Sequence, residues 1–369
     1  MAQRVIDADG HICEPRAVWT DYVAAPYRDR TIRVERDPSD GRDWLWINGA
    51  PRKNLPPASA CIPWGMDDPE HPPGWDEILP GSYDGAARVK VLDEEGIERS
   101  LLYPSIYLLH GDIEDAETAA AACAGYNRWI ADMCRDGKGR LDAVGIVPLQ
   151  SIEAATKEVE HIARLGLKGV SFRPERYRGL ALSDALLVPF WERIAGNGLF
   201  AAVHGSFGSL MPSFASGRYD NNFFVHMICH PFEQMAASLD IVAGGVLERH
   251  PKLVVAFLES GLGWLEYWLE RMDEHFVAMR HAVPWLKRQP SELFREHCFI
   301  SIEADEAHRL PRLKELGLDG CIFWGADYPH YDCTYPGAVT ELEQALAPLE
   351  RELADRVRYA NAARFLGLG

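Results

Sequence analysis

The chain has 369 residues, 47% hydrophobic and 25% charged, which is ordinary globular composition with enough apolar material for a large core. Asp and Glu outnumber Lys and Arg by 55 to 38, a formal net charge of −17, and no Lys/Arg-rich run occurs. Nucleic acid and anionic membrane surfaces are therefore set aside as partners, and no apolar run approaches the ~18 residues a membrane span needs.

Met1 leads almost directly into Val5-Ile6-Asp7, without the basic and apolar regions of an export signal, so a cytoplasmic protein is expected. Val5–Ala8 is the first strand. A helix follows over Arg88–Gly96, then a strand at Ser100–Pro104. The alternation continues with helix Ala116–Arg135 and strand Ala143–Leu149, then helix Ile152–Arg164 and strand Gly169–Phe172. Helix Asp184–Ala195 leads to strand Leu199–His204, and helix Phe224–Val242 to strand Leu253–Leu258. Helix Leu262–Arg280 precedes strand Phe299–Ile302, and helix Ala304–Leu316 precedes strand Cys321–Trp324. Helices Ala338–Leu346 and Arg351–Phe365 close the chain. Alternation of this kind gives parallel strands with helical crossovers, and continuous apolar runs mark strands buried on both faces. Eight such units predict a (β/α)8 TIM barrel filling residues 1–369 as a single domain.

Residues 37–83 break the rhythm with Trp44, Trp46, Trp64 and Trp75 and with Pro51, Pro56, Pro57, Pro63, Pro69, Pro72, Pro73 and Pro80. This Trp/Pro-rich insertion after strand one is read as a lid. A packed surface loop or an oligomer contact would have the same composition. The eight cysteines, Cys61 among them, are scattered without a CxxC pair and read as reduced thiols, mostly core fillers.

Barrel active sites form at the C-terminal ends of strands. Asp9 and His11 follow strand one, and alternate residues of an extended segment point the same way. His204 ends the fifth strand and Asp327 follows the eighth. Each alone has a plain structural use, as a cap or a satisfied histidine, but together they form a metal-type donor set. Two imidazoles and two carboxylates suit one divalent Zn or Mn, with Fe or Mg as second choices.

The segments VIDADGHICEP, GVSFRPERYRG, AAVHGS, GGVLERHPKLVVAFLESGLGWLEYWLERMDEH and FWGADYPHYDCTYPG resemble the amidohydrolase superfamily. Within it, the chain is similar to the aminocarboxymuconate semialdehyde decarboxylase-like branch, amidohydrolase family 2. The resemblance covers nearly the whole chain. It implies a barrel whose metal is bound by Asp9, His11, His204 and Asp327, and an enzyme that is either a nonoxidative decarboxylase or a hydrolase. Two departures stand out. Many relatives carry His-x-His on strand one, where this chain has Asp9-Gly10-His11. The decarboxylase pattern carries a histidine after strand six, where this chain has Glu259.

As a decarboxylase, the protein would act on a small aromatic or unsaturated carboxylic acid. Arg173 would fork onto the substrate carboxylate, Tyr103 and His230 would line the pocket, and Asp327, Glu259 or His330 would supply the proton. As a hydrolase of a C–C, C–N or ester bond it would use a metal-activated water, with Asp327 as base and Glu259 at the leaving group. A catalytically silent binding protein is the third reading, disfavoured by the complete ligand set. His226 and His230 stand at i, i+4 but fit pocket lining or helix packing better than a second metal. His250 belongs to the barrel's lower face. Glu303 either orients a ligand or caps the next helix. The aromatic stretch Gly263–Phe276 is the candidate contact for a homodimer.

Overall fold

The computed structural model describes residues 4–58, 74–206, 208–331 and 333–368. The described strands are β1 (Ile6–His11), β2 (Arg33–Arg36), β3 (Asp43–Ile47), β4 (Ala50–Pro51), β5 (Arg99–Tyr103), β6 (Leu141–Ile146), β7 (Gly169–Phe172), β8 (Phe200–His204), β9 (Val255–Leu258), β10 (Cys298–Ile302) and β11 (Ile322–Trp324). β1 and β5 to β11 form one parallel sheet of eight strands in sequence order. All eight expected strands are present, and the barrel is the expected one. Between its last and first members the backbone bonds lie just beyond β11. The His11 N–H donates to the Tyr328 carbonyl at 2.7 Å, and the Asp327 N–H donates to the Asp9 carbonyl at 2.9 Å. The barrel thus closes at the residues singled out as ligands.

The interior is filled by Ile6, Ala8, Leu101, Val144, Phe299 and Phe323 among others, all buried. Phe365, near the C-terminus, stacks within 4.2 to 5.2 Å of the rings of Phe200, Phe299 and Phe323. Strand β1 runs to His11 rather than stopping at Ala8, and its register against β5 slips between Asp7 and Gly10. That bulge reverses the in–out parity. Ile6 and Ala8 face the barrel interior, and past the slip Asp9 and His11 converge on its mouth.

Most helices fall at the expected positions, helix Pro290–His297 is an addition, and the expected helix Arg351–Phe365 contains a π-helical turn over Arg356–Ala360. The expected helix Phe224–Val242 is broken into Asn222–Cys229 and Pro231–Ser238, because Pro231 supplies no N–H to continue the first ladder. Residues Asp184–Ala195 form a short 3₁₀ turn and then helix Val188–Gly196. Ala304–Leu316 likewise begins as a 3₁₀ turn to Arg309 before helix Leu310–Glu315.

The insertion has its own architecture, which begins at Arg33 rather than Asp37. β2, β3 and β4 form a three-stranded antiparallel sheet. The β3–β4 turn is Asn48-Gly49, with φ of 57° and 80°, as a two-residue primed hairpin requires. Cys61, Pro63, Trp64, Pro69, Pro72 and Pro73 lie outside the described residues. A buried ion pair clamps the insertion to the barrel. Arg52 Nη1 donates to Asp112 Oδ2 at 2.8 Å, with side chains 7% and 0% exposed, and Arg52 Nη2 donates to the Gly208 carbonyl. Asp112 also accepts from Ser209 Oγ and the Leu210 N–H, which draws in the loop after β8. Breaking such a pair from one side leaves an uncompensated buried charge. Asp112→Ala should therefore lower unfolding free energy by about 3–5 kcal/mol in urea titrations, and adding Arg52→Met should recover part of the loss.

Candidate metal centre

Asp9 is 4% exposed, and its Oδ2 accepts from Ser301 Oγ at 2.7 Å. Its Oδ1 is buried without a hydrogen-bond partner. His11 places Nδ1 at 2.8 Å from the Pro104 carbonyl, and His204 places Nδ1 at 2.7 Å from the Gly205 carbonyl. A carbonyl oxygen only accepts, so both rings carry their hydrogen on Nδ1 and present a lone pair from Nε2. The two Nε2 atoms lie 3.1 Å apart. Burial, reinforced by the nearby His330 and His204 imidazoles, holds the His11 pKa well below its usual value. Two lone pairs at this separation repel unless a cation stands between them.

The carboxylates meet the same point. Asp9 Oδ1 is 3.6 Å from His204 Nε2 and 3.8 Å from His11 Nε2, and Asp327 Oδ1 is 3.4 Å from His11 Nε2. Ligands on a cation with bonds of about 2.0–2.2 Å are spaced roughly 3.0–3.6 Å apart. Asp9, His11 and His204 thus stand together at close to coordination spacing, Asp327 adjoins them through His11 in a second cluster with Glu259 and His330, and the orphaned Asp9 Oδ1 is the buried polar atom that a cation would satisfy.

Several residues that sequence reading passed over hold this geometry. Ser301 accepts the Glu259 N–H at 3.0 Å while donating to Asp9, so β10 ties β9 to β1. Asp7, buried, accepts from Ser100 Oγ at 2.6 Å and from the Ala326 N–H at 2.9 Å. Burial raises its pKa, and Arg88 opposes that rise. Arg88 is wholly buried and donates to the carbonyls of His11 at 2.8 Å, Gly81 at 3.3 Å and Tyr328 at 3.3 Å. A Cβ at Gly10 would fall 2.3 Å from Asp7 Oδ2 and 2.6 Å from Ser100 Oγ, so only glycine fits between them. Asp327 and Glu259 have φ of 54° and 47°, the left-handed region that non-glycine residues enter where surrounding structure forces it.

Glu259 and His330 flank the four donors. Glu259 Oε2 is 3.5 Å from His204 Nε2, and its Oε1 is 3.8 Å from His230 Nε2. His330 sets Nδ1 at 2.8 Å from Asp327 Oδ1 and Nε2 at 2.8 Å from Ser105 Oγ, with its ring 4.0 Å from that of His11. Both line a cavity with Ser105, Ile106, Leu108, Leu109, His226 and His230. Leu45, Leu55 and Trp75 of the insertion form its far wall. Glu14 braces this side. Its buried carboxylate accepts the N–H groups of Ser105, Ile106 and Tyr107 at 3.0–3.1 Å.

One expected substrate contact is corrected. Arg173 is wholly buried and its fork is already occupied by Glu175, two residues on, through Nε at 3.0 Å and through Nη2. It also donates to the carbonyls of Leu108 and Ser206. Tyr103 packs in the barrel interior beneath the histidines, 6.0 Å from the His11 ring and 5.6 Å from that of His204. Glu303 is exposed and makes no side-chain bond that caps the following turn, and it lines a cleft with Asp9, Glu259, Ser301 and Asp327. His250 stands before β9 at the barrel's lower end, as expected.

A closed eight-stranded barrel with a nitrogen–oxygen donor cluster at the C-terminal strand ends defines the class. The family described as Amidohydrolase matches residues 64–368, and the chain belongs to that family. A 2-amino-3-carboxymuconate-6-semialdehyde decarboxylase of Dictyostelium discoideum is 23% identical over 295 residues, 79% of each chain. The crystal structure of an amidohydrolase from Mycobacterium avium subsp. paratuberculosis K-10 matches with a TM-score of 0.81 at 22% identity, over 100% of both chains. That of a dihydroxybenzoic acid decarboxylase from Polaromonas sp. JS666, with bound manganese and the inhibitor 2-nitroresorcinol, matches with a TM-score of 0.70 at 18% identity, over 99% of this chain and 97% of that one.

Burial raises the Glu14 pKa from 4.5 to about 7, against the pull of its amide donors. Between those values the folded chain keeps a proton that the unfolded chain has released, so Glu14 makes stability fall as pH rises from 4.5 to about 7. Urea unfolding of wild type and Glu14→Gln across pH 4.5–8 should show this slope, on the order of 3 kcal/mol in total, in wild type and not in the variant.

Proposed function

We propose that this protein is a metal-dependent carboxy-lyase that releases carbon dioxide, without oxidation, from a small aromatic or unsaturated acid. The observation that carries this reading is the pair of Nε2 lone pairs 3.1 Å apart, faced by the Asp9 and Asp327 carboxylates beside a largely apolar cavity. The decarboxylase names among the relatives support the reaction type. Asp9, His11, His204 and Asp327 would hold one Mn or Zn, both of which suit two imidazoles and two carboxylates. A cation held there would supply Lewis-acid stabilisation of the negative charge left on the substrate as carbon dioxide departs.

The chain's own residues do the rest. The Pro104 and Gly205 carbonyls fix both imidazoles, and Ser301 fixes Asp9, so the donors are set before substrate arrives. Ser105 Oγ donates its hydrogen to the Ile12 carbonyl, so its oxygen is free to accept from His330 Nε2–H. The other ring nitrogen faces the Asp327 carboxylate, another acceptor. His330 is accordingly assigned as the acid: its Nε2 proton, released from Ser105, goes to the carbon, while Nδ1–H stays hydrogen-bonded to the Asp327 carboxylate. The insertion serves as the roof of the cavity, a role supported by Leu45, Leu55 and Trp75 in its wall.

Glu259 favours a second reading. A carboxylate 3.5 Å from His204 Nε2, where the decarboxylase pattern has histidine, suits proton transfer from water in a hydrolase. A cytoplasmic site of action is in keeping with the seven described cysteines, among which no disulfide forms. Tyr267 and Val277, exposed on helix Leu265–Ala278, form the face assigned to a homodimer.

Asp327→Ala should retain its circular dichroism signal yet lose both bound metal and activity. His330→Asn should keep about one metal per chain and lose 10²- to 10⁴-fold in kcat, as roughly expected for removal of a general acid. Elemental analysis alongside carbon dioxide release from hydroxybenzoates, and hydrolysis of esters and amides, checks both. Stoichiometric metal in Asp327→Ala contradicts the ligand set, and turnover confined to esters or amides selects the hydrolase.

A further inference from the structure

We propose that the cavity selects acids carrying a single anionic group on an apolar body, and that Leu55 and Ile106 are the residues that enforce this selection. The inference rests on the function proposed above, in which the substrate carboxylate goes to the metal.

The arginines near the site are all committed elsewhere. Arg173 is forked on Glu175 and on two carbonyls. Arg52 is paired with Asp112 and the Gly208 carbonyl. Arg88 spends its Nη groups on the carbonyls of His11, Gly81 and Tyr328. Among the described residues, no lysine or arginine lines the cavity. His230, in the wall, is held neutral by burial, which pushes its pKa well below the usual value.

The apolar part of the lining consists of Leu45, Leu55, Trp75, Ile106, Leu108 and Leu109. A second carboxylate set against these side chains would lose its hydration without gaining a lysine or arginine partner, and would share the cavity with Glu259. An alkyl or aryl group set there would gain about fourfold in affinity per buried methylene. The wall is also fixed in place. The Arg52–Asp112 pair clamps the insertion, and Leu55 packs so closely that a Cβ at Gly208, where φ is +82°, would fall 2.2 Å from its Cδ2.

Calorimetric titration of the Mn-loaded and metal-free protein tests this with three probes: 2-hydroxybenzoate, 4-butyl-2-hydroxybenzoate and 2-hydroxyterephthalate. The expected result is Mn-dependent binding of 2-hydroxybenzoate, at least roughly tenfold tighter binding of the butyl acid, and at least roughly tenfold weaker binding of the dicarboxylate. Leu55→Arg should shift preference toward the dicarboxylate. Ile106→Lys, at a half-buried position, should do the same even if Leu55→Arg fails to fold. If 2-hydroxybenzoate binds with Mn but the dicarboxylate binds equally or more tightly, the selection is overturned and the metal reading survives. If 2-hydroxybenzoate does not bind, or binds equally without Mn, the proposed function fails and the selection falls with it.

Discussion

Two imidazole nitrogens 3.1 Å apart, each with its hydrogen pinned on the far side of the ring, set the terms for the rest of this molecule. The arrangement is repulsive as it stands. It persists because His11 lies on β1 and His204 ends β8, strands held by the whole ladder between them. The rigidity of a closed barrel keeps these lone pairs facing each other. The Asp9 carboxylate, tied by Ser301 through one oxygen only, leaves its other oxygen turned toward both rings.

The first strand and the segment after the last strand are joined by two backbone hydrogen bonds at Asp9 and His11. The residues that close the barrel are therefore the ones proposed as ligands. Arg88 and Asp7 brace this seam from outside the cluster, and Gly10 leaves room for them. The bulge in β1 carries the change of parity that allows an apolar interior below and a polar mouth above. Stability and function are coupled here, since any change that loosens the seam also moves a ligand.

Eight strands were legible because parallel strands buried on both faces leave continuous apolar runs such as Val255–Leu258 and Phe200–His204. Asp9, His11 and His204, which the structure brings together, stood out in the sequence because they follow those runs directly. Arg173 was misread because an arginine after a strand looks available, although Glu175 stands two residues away and takes its fork. The insertion's sheet was missed despite Asn48-Gly49, a strong hairpin signal, because tryptophans and prolines dominated its composition. The helix break at His230-Pro231 was written in the chain. Ser301, Arg88 and Asp112 were not legible, because their partners are far away in sequence and a serine, arginine or aspartate carries no mark of such a role.

The most direct test of this account is anomalous diffraction from crystals grown with Mn. The account predicts one strong peak per chain, within about 2.0–2.3 Å of Asp9 Oδ1, His11 Nε2, His204 Nε2 and an Asp327 oxygen. A peak centred instead among His226, His230 and Glu259, or no peak at full Mn loading, would contradict it.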